Sequence, residues 1–137
     1  MRYLHALLSI IILQTLLSCT PTPSDVTKSE ALPAIYPDYT NVTIPVNIAP
    51  LNFLVRDDIE VIQVTAGTIT INAKGNEVVF DEDEWHELLK TNEDIKVTIT
   101  TLKNGKWTEY RSFHWLGVKD KVDPYLTYRL IEPDSDI

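Results

Sequence analysis

The feature that most restricts the fold is a pair of alternating segments joined by Asn104-Gly105. An Asn-Gly pair adopts the two left-handed conformations of a type I′ turn at little cost, and such turns join antiparallel strands. The flanking segments 95–102 and 107–115 are rich in β-branched and aromatic residues, which favour strands. The sequence therefore predicts a β-hairpin. Alternation predicts that five residues share one face of its second strand: Trp107, Glu109, Arg111, Phe113 and Trp115.

Other short runs of strand-forming residues precede the hairpin, separated by turn residues such as Gly67 and Gly75. The predicted strands are 42–46, 51–56, 59–65, 68–73 and 77–80. Between them and the hairpin, residues 81–90 favour a short helix that Asp81 can cap, with Trp85, Leu88 and Leu89 on its inner face. Together these segments predict a mainly β domain, an immunoglobulin- or fibronectin III-like β-sandwich with one short helix.

The N-terminus has the organisation of a bacterial lipoprotein leader. Arg2 provides a positive start, residues 6–17 form an apolar stretch too short to span a bilayer comfortably, and Leu16-Leu17-Ser18-Cys19 matches the lipobox. We therefore predict a signal peptide over 1–18 and lipidation of Cys19. The alternatives are an ordinary secretory leader with an incidental cysteine, or a buried helix.

The predicted organisation continues with residues 19–34, which comprise the lipidated cysteine and a flexible tether rich in Pro, Thr and Ser. The β-domain is expected over 35–133 and a tail over 134–137. Such a lipid anchor holds a protein on a membrane without a spanning helix. Thr20 at the second mature position is not acidic, which favours an outer-membrane location facing the periplasm.

Charge and composition argue against several classes of function. The full chain has 12 basic and 20 acidic residues, and the leader contains only Arg2 of these, so the mature chain carries 12 − 1 = 11 basic and 20 acidic residues, a net charge of −9. Nucleic-acid binding requires basic surfaces, and none is evident. Cys19 is the only cysteine, which excludes an internal disulfide and a cysteine-ligated metal site.

The sequence also lacks the usual components of catalytic sites. His86 and His114 do not have metal-ligand spacing, no serine lies in a Gly-x-Ser-x-Gly elbow, and four glycines do not form a phosphate-binding loop. We therefore predict no catalytic residue, no metal site and no cofactor. A hydrolase that uses scattered carboxylates is the least favoured reading.

Four tyrosines lie in segments that flank the predicted strands, where packing in the core makes fewer demands on them: Tyr36, Tyr39, Tyr125 and Tyr128. Tyrosines can anchor a protein partner or a sugar, and these four are the candidate binding residues. The alternative is that they fix the two flanking segments to the domain.

Two stretches of the chain resemble a known family. The first runs from Ile35-Tyr36-Pro37-Asp38-Tyr39 to Asn52-Phe53, and the second is Asp123-Pro124-Tyr125-Leu126-Thr127-Tyr128-Arg129-Leu130-Ile131-Glu132-Pro133. They are similar to the N-terminal region of large bacterial envelope lipoproteins described as TolB-like, some of which are labelled cytochrome c biosynthesis proteins. The resemblance implies a β-domain that, in the proteins of that family, precedes a Cys-x-x-Cys-His-like segment and a β-propeller. This sequence has neither of those later parts, so no haem or propeller function is carried over.

The resulting expectation is a non-enzymatic binding or accessory domain, held by its lipid on the periplasmic side of a membrane, with an envelope protein or glycan as partner. The alternative, from a different class, is a truncated remnant of a TolB-like propeller lipoprotein without independent function.

Overall fold

The computed structural model describes residues 20–122. The predicted leader over 1–18, Cys19 and everything from residue 123 onward lie outside the described residues. The strands, in chain order, are β1 (Thr27–Lys28), β2 (Ile35–Tyr36), β3 (Val42–Pro45), β4 (Phe53–Val55), β5 (Val61–Ala66), β6 (Ile69–Lys74), β7 (Glu77–Val78), β8 (Asp94–Lys103), β9 (Lys106–Glu109) and β10 (Phe113–Val118). Helix α1 (Glu82–Thr91) lies between β7 and β8.

The strands form two sheets. In the larger sheet β6 pairs with β5, and β5 pairs with one edge of the long strand β8. The other edge of β8 is shared by β9 and β10, which in turn pair in parallel with β1 and β3. The smaller sheet has the order β2-β4-β7. This mainly β, sandwich-like arrangement with one short helix confirms the predicted fold class.

The core lies between the sheets and is built around five aromatic rings, those of Phe53, Phe80, Trp85, Phe113 and Trp115. Phe80 contacts both tryptophans, with ring centroids 5.2 Å from Trp85 and 5.8 Å from Trp115. Phe113 lies 5.9 Å from Trp115. The aliphatic residues around them come from both sheets, and they include Ile35, Val55, Ile62, Val64, Val78, Ile95, Val97 and Ile99.

Helix α1 follows the predicted pattern closely. The side chain of Asp81 accepts hydrogen bonds from the backbone N–H groups of Asp83 and Glu84, which an N-cap residue should do. Trp85, Leu88 and Leu89 are buried and belong to the core cluster, so the helix packs on the core with a single apolar face.

The predicted hairpin is present, but its second strand does not keep one face. Asn104 and Gly105 both have positive φ, as a type I′ turn requires. Along β9, Trp107 lies opposite Leu102, whereas along β10 Phe113 lies opposite Val97. If the register of β9 continued, Ser112 and not Phe113 would lie opposite Val97. One extra residue is therefore inserted between β9 and β10 as a bulge.

The bulge corrects the predicted arrangement of this strand. Phe113 and Trp115 face the core, while Trp107 faces the outer side of the larger sheet, outside the core cluster. There it lies in a row with Leu102 and Val61. Tyr110, which is not one of the five residues of the predicted face, packs against the core as well.

The predicted boundary between tether and domain also differs from the structure. Thr27 and Lys28 pair in parallel with β9, and the backbone N–H of Ser29 donates to the carbonyl of Glu109 at 2.8 Å. The carbonyl of Ala31 accepts a further hydrogen bond from the N–H of Arg111. The domain therefore begins near residue 27 rather than at 35. Composition could not show this, because the contacts are made by backbone groups.

Candidate functional site

Tyr36 is the more accessible of the two candidate tyrosines that the structure describes. It is the second residue of β2, and its neighbour Ile35 is buried at 4% exposure. Because successive side chains of a strand point to opposite faces, Tyr36 points outward, and 54% of its surface is exposed. An exposed tyrosine in the short edge strand of a sandwich is available to contact a partner.

Tyr36 heads a row of side chains that crosses the smaller sheet. Leu54 of β4 lies directly opposite Tyr36, and Glu77 of β7 lies opposite Leu54. Both are exposed, whereas the alternate residues Val55 and Val78 point into the core. The outer surface formed by Tyr36, Leu54, Arg56 and Glu77 is called the Tyr36 face below.

Arg56 gives the Tyr36 face its positive charge. Its guanidinium carbon lies 4.7 Å from the centroid of the Tyr36 ring, within the range of a cation–π interaction. Its backbone N–H donates to the carbonyl of Ala34 at 2.7 Å, which fixes the end of β4 beside β2. The guanidinium therefore covers one face of the tyrosine ring.

An acidic turn stands beside this pair. The hydroxyl and the N–H of Thr40 both donate to Asp38 Oδ1, at 2.7 and 3.0 Å. These two hydrogen bonds, with a smaller contribution from the positive charge of Arg56, lower the pKa of Asp38 below its ordinary value. The Tyr36 face thus combines an aromatic ring and an aliphatic side chain with fixed charges of both signs.

A shallow groove of about 230 Å³ runs along the Tyr36 face. Its lining consists of Tyr36, Pro37, Asn52, Phe53, Leu54, Glu77 and Val78. Asn52 is held in place there, because its Oδ1 accepts a hydrogen bond from the N–H of Phe80 at 2.9 Å. The groove can accept an apolar side chain, with polar groups at its margin.

Of the four candidate tyrosines the structure describes two, Tyr36 and Tyr39, and of these Tyr36 is exposed and Tyr39 is half-buried. Tyr39 packs against the core, and its carbonyl accepts a hydrogen bond from Trp115 Nε1 at 2.8 Å. This is the role predicted by the alternative reading, in which a tyrosine fixes a flanking segment to the domain. Tyr125 and Tyr128 lie outside the described residues, as does Cys19.

Three members of the Tyr36 face, Leu54, Arg56 and Glu77, were not among the predicted site residues. Alternation within 51–56 places Leu54 and Arg56 on one side of a strand, and this was a usable signal. The alignment of Glu77 with Leu54 depends on pairing between strands that are distant in sequence, and a local pattern does not contain that information.

Two further observations bear on chemistry and membrane association. Within residues 20–122 no three His, Cys, Asp or Glu side chains are grouped so that they could hold a metal ion. In the same range no helix is long and apolar enough to cross a membrane.

The fold and the Tyr36 face define a class of structure, a β-sandwich domain that exposes an aromatic and aliphatic surface on its smaller sheet. Comparison of the chain with protein-family models, with curated proteins and with solved structures finds no match. The resemblance to TolB-like lipoproteins stays a prediction from the sequence.

Proposed function

We propose that this protein is a lipid-anchored, non-enzymatic binding module of the bacterial cell envelope that recognises a protein partner through the Tyr36 face. The observation that carries the proposal is the exposed pair of Tyr36 and Leu54, which lie opposite each other on adjacent strands. Tyrosine and arginine are the residues enriched at the energetic centres of protein interfaces, and the Tyr36 face has one of each, in contact.

The composition of the Tyr36 face favours a protein over a glycan. Sugars stack on the flat faces of aromatic rings, and Arg56 already covers one face of the Tyr36 ring. Leu54 and the groove beside it present an aliphatic surface, which suits an apolar side chain of a protein. Glu77 and Arg56 provide charges at the margin, where they fix orientation more than they add affinity.

The proposed anchor places the domain close to the membrane. Thr27 is the first residue of β1, and it lies eight positions after Cys19 in the sequence. A fully extended chain spans at most roughly 3.5 Å per residue, so this link reaches about 28 Å. A lipidated protein of this kind would meet partners in the membrane or just above it.

The test uses the full chain expressed with its leader in a bacterial host and purified from membranes. Proteins captured by the wild type are quantified against those captured by the double variant Tyr36→Ala/Leu54→Ala. The matched control is Leu116→Ala/Val118→Ala, which removes two exposed apolar side chains from β10 of the other sheet. Thermal unfolding of each variant reports on folding.

We expect the captured amount of one or more proteins to fall at least tenfold with Tyr36→Ala/Leu54→Ala and to be retained with the control. Titration of the purified partner should show the same difference in affinity. Equal capture by all three proteins would contradict the proposal, as would cosedimentation with purified peptidoglycan that depends on Tyr36. Mass spectrometry of the N-terminal peptide tests the anchor separately, because an unprocessed leader would exclude lipidation at Cys19.

A further inference from the structure

Strand β6 forms one edge of the larger sheet. It pairs over its whole length with β5, from Ile69 opposite Ala66 to Lys74 opposite Val61. No described strand pairs with its other side. An edge of this kind presents a row of backbone donors and acceptors to which another strand can add.

The register shows which backbone groups are available. The N–H of Gly75 donates to the carbonyl of Glu60, which makes these two residues a hydrogen-bonded pair. In an antiparallel ladder such pairs alternate with pairs that do not exchange hydrogen bonds. The N–H and C=O groups of Thr70, Asn72 and Lys74 therefore point away from β5. All three side chains are exposed as well.

The other edges in the described part of the chain are protected, whereas β6 is not. Strands β1, β2 and β7 have two residues each, too few to form a ladder with a partner. Strand β3 ends in Pro45, which has no N–H to donate. Strand β6 has six residues, contains no proline and is interrupted by no bulge, and Lys74 at its end is its only charged residue.

A groove lies beside the beginning of β6, between this strand and helix α1. Its volume is about 260 Å³. The lining consists of Thr68, Ile69, Thr70, Glu84, Glu87, Leu88 and Thr91. Ile69 and Leu88 provide an apolar floor, and the two glutamates are exposed at the helix side. A strand added to β6 would project alternate side chains toward this groove.

We propose that β6 and the groove beside α1 form a second binding site, which takes an extended segment of a basic protein as an additional strand. The segment pairs with the backbone of Thr70, Asn72 and Lys74. One of its lysine or arginine side chains faces Glu84 and Glu87, and a neighbouring aliphatic side chain covers Ile69.

Charge favours this occupant over a second copy of the same chain. The chain carries a net charge of −8, so two copies repel each other, whereas a basic segment is attracted. Of the two glutamates in the groove lining, Glu87 also forms an exposed ion pair of 3.5 Å with Lys90. The site is independent of the Tyr36 face, since that face belongs to the smaller sheet.

The experiment selects random octapeptides displayed on phage against the immobilised full chain and measures the affinity of the enriched peptides by fluorescence polarisation. The expected consensus contains lysine or arginine within an alternating aliphatic pattern. Because only alternate residues of an added strand bond to β6, methylation of the peptide's backbone amides should lower affinity at least tenfold for one set of alternate positions and little for the other.

Variants of both β6 and α1 locate the peptide on the protein. Asn72→Pro removes an outward N–H and also the hydrogen bond that Asn72 Oδ1 accepts from Gln63 Nε2 of β5. It is therefore compared with Asn72→Ala, which loses the same side-chain hydrogen bond but keeps the N–H, and we expect the affinity of Asn72→Pro to be at least tenfold lower. Glu84→Gln/Glu87→Gln should weaken binding about fivefold or more and reduce its salt dependence. The control Glu82→Gln/Asp83→Gln removes two acidic charges from the same helix, outside the groove lining, and should change affinity less than twofold.

Several results would overturn the proposal. They are failure to enrich any peptide, equal sensitivity to methylation at all positions, or loss of binding with Tyr36→Ala instead of Asn72→Pro. If Asn72→Pro unfolds the protein, the methylation pattern and the glutamine variants still decide the matter. Sedimentation velocity completes the test, because a dimer of the wild type that Asn72→Pro dissociates would assign β6 to a second copy.

Discussion

The indole rings of Trp85 and Trp115 meet edge to face in the centre of the sandwich, with centroids 5.5 Å apart and planes inclined by 71°. Both side chains are fully buried. Each indole N–H is used: Trp85 Nε1 donates to the carbonyl of Ile48 at 3.0 Å, and Trp115 Nε1 to the carbonyl of Tyr39 at 2.8 Å. The pair therefore joins helix α1 and strand β10 to the two segments that flank β3.

Replacement of Trp85 should test this central role. We expect Trp85→Ala to lower the free energy of unfolding by about 3–5 kcal/mol, because it removes a buried aromatic ring and leaves the carbonyl of Ile48 without its donor. Tyr36→Ala is the control, since that aromatic ring is 54% exposed. Urea denaturation of both variants should show a clearly smaller loss for Tyr36→Ala. Equal losses would contradict the assignment of Trp85 to the core.

A second prediction concerns the stability of an alanine variant at Gly67. Its φ is +55°, and a Cβ added there would lie 2.8 Å from Cδ1 of the buried Leu88. Gly75 has φ +81° with no atom within 4 Å of an added Cβ. Both alanine variants suffer the backbone strain of a left-handed conformation, roughly 1–2 kcal/mol, and only Gly67→Ala adds a steric overlap, worth about 1–3 kcal/mol.

Chemical denaturation of Gly67→Ala and Gly75→Ala, under the same conditions, measures that difference directly. The packing of α1 against the β5–β6 turn requires Gly67→Ala to be the less stable of the two. A protein in which Gly75→Ala is equally or more destabilising would not have Leu88 against this turn.

The cap of helix α1 gives a third prediction. Asp81 Oδ1 accepts from the N–H groups of Asp83 and Glu84, both at 3.0 Å. Asp81→Ala should lower the free energy of unfolding by about 1 kcal/mol because these two donors lose their partner. Asp81→Asn keeps an oxygen acceptor and should lose only a few tenths of that amount. Thermal unfolding of the two variants distinguishes a capping role from a general effect of removing charge.

The features that could be predicted from the sequence are those governed by neighbouring residues. The Asn104-Gly105 turn, the cap at Asp81 and the inner face of α1 each depend on a few consecutive side chains. The mainly β sandwich followed from the number and spacing of short alternating runs. These signals are local, because strand alternation and helix capping act within a few residues.

The features in which the structure differs from the sequence-based predictions depend on contacts between distant segments. The bulge between β9 and β10 moves Trp107 to the outer side of the sheet, although alternation alone places it with Trp115. Thr27 pairs with β9 through its backbone, which its polar side chain does not reveal. The Tyr36 face also depends on contacts between distant segments, because Glu77 belongs to it only through the pairing of β4 with β7.

The ion pair between Asp57 and Lys103 makes stability depend on pH. Lys103 Nζ lies 2.5 Å from Asp57 Oδ1 and thereby ties the β8–β9 hairpin to the segment between β4 and β5. The hydrogen bond from Lys103, and next the N–H of Asp58, lower the pKa of Asp57. The same hydrogen bond, which Lys103 donates and Asp57 accepts, raises the pKa of Lys103.

The two shifts define a pH window. A lowered carboxylate pKa stabilises the fold above the unfolded value of roughly 3.9, and the effect is lost as pH falls through the folded pKa. A raised lysine pKa stabilises it below the unfolded value of roughly 10.4, and the effect is lost as pH rises through the folded pKa. Asp57→Asn should therefore be less stable than the wild type between these limits, and the difference should vanish at both extremes.

Urea denaturation of the wild type, Asp57→Asn, Lys103→Met and the double variant, at pH 2, 7 and 12, checks this window. The pair is solvent-exposed, so the difference at pH 7 should be small and should shrink further in 1 M salt, which screens exposed charges. At pH 7 the double variant should lose less stability than the sum of the two single variants, because each single variant already removes the same ion pair. Additive losses, or a difference that persists unchanged at pH 2, would show that Asp57 stabilises the hairpin in some way other than through its charge.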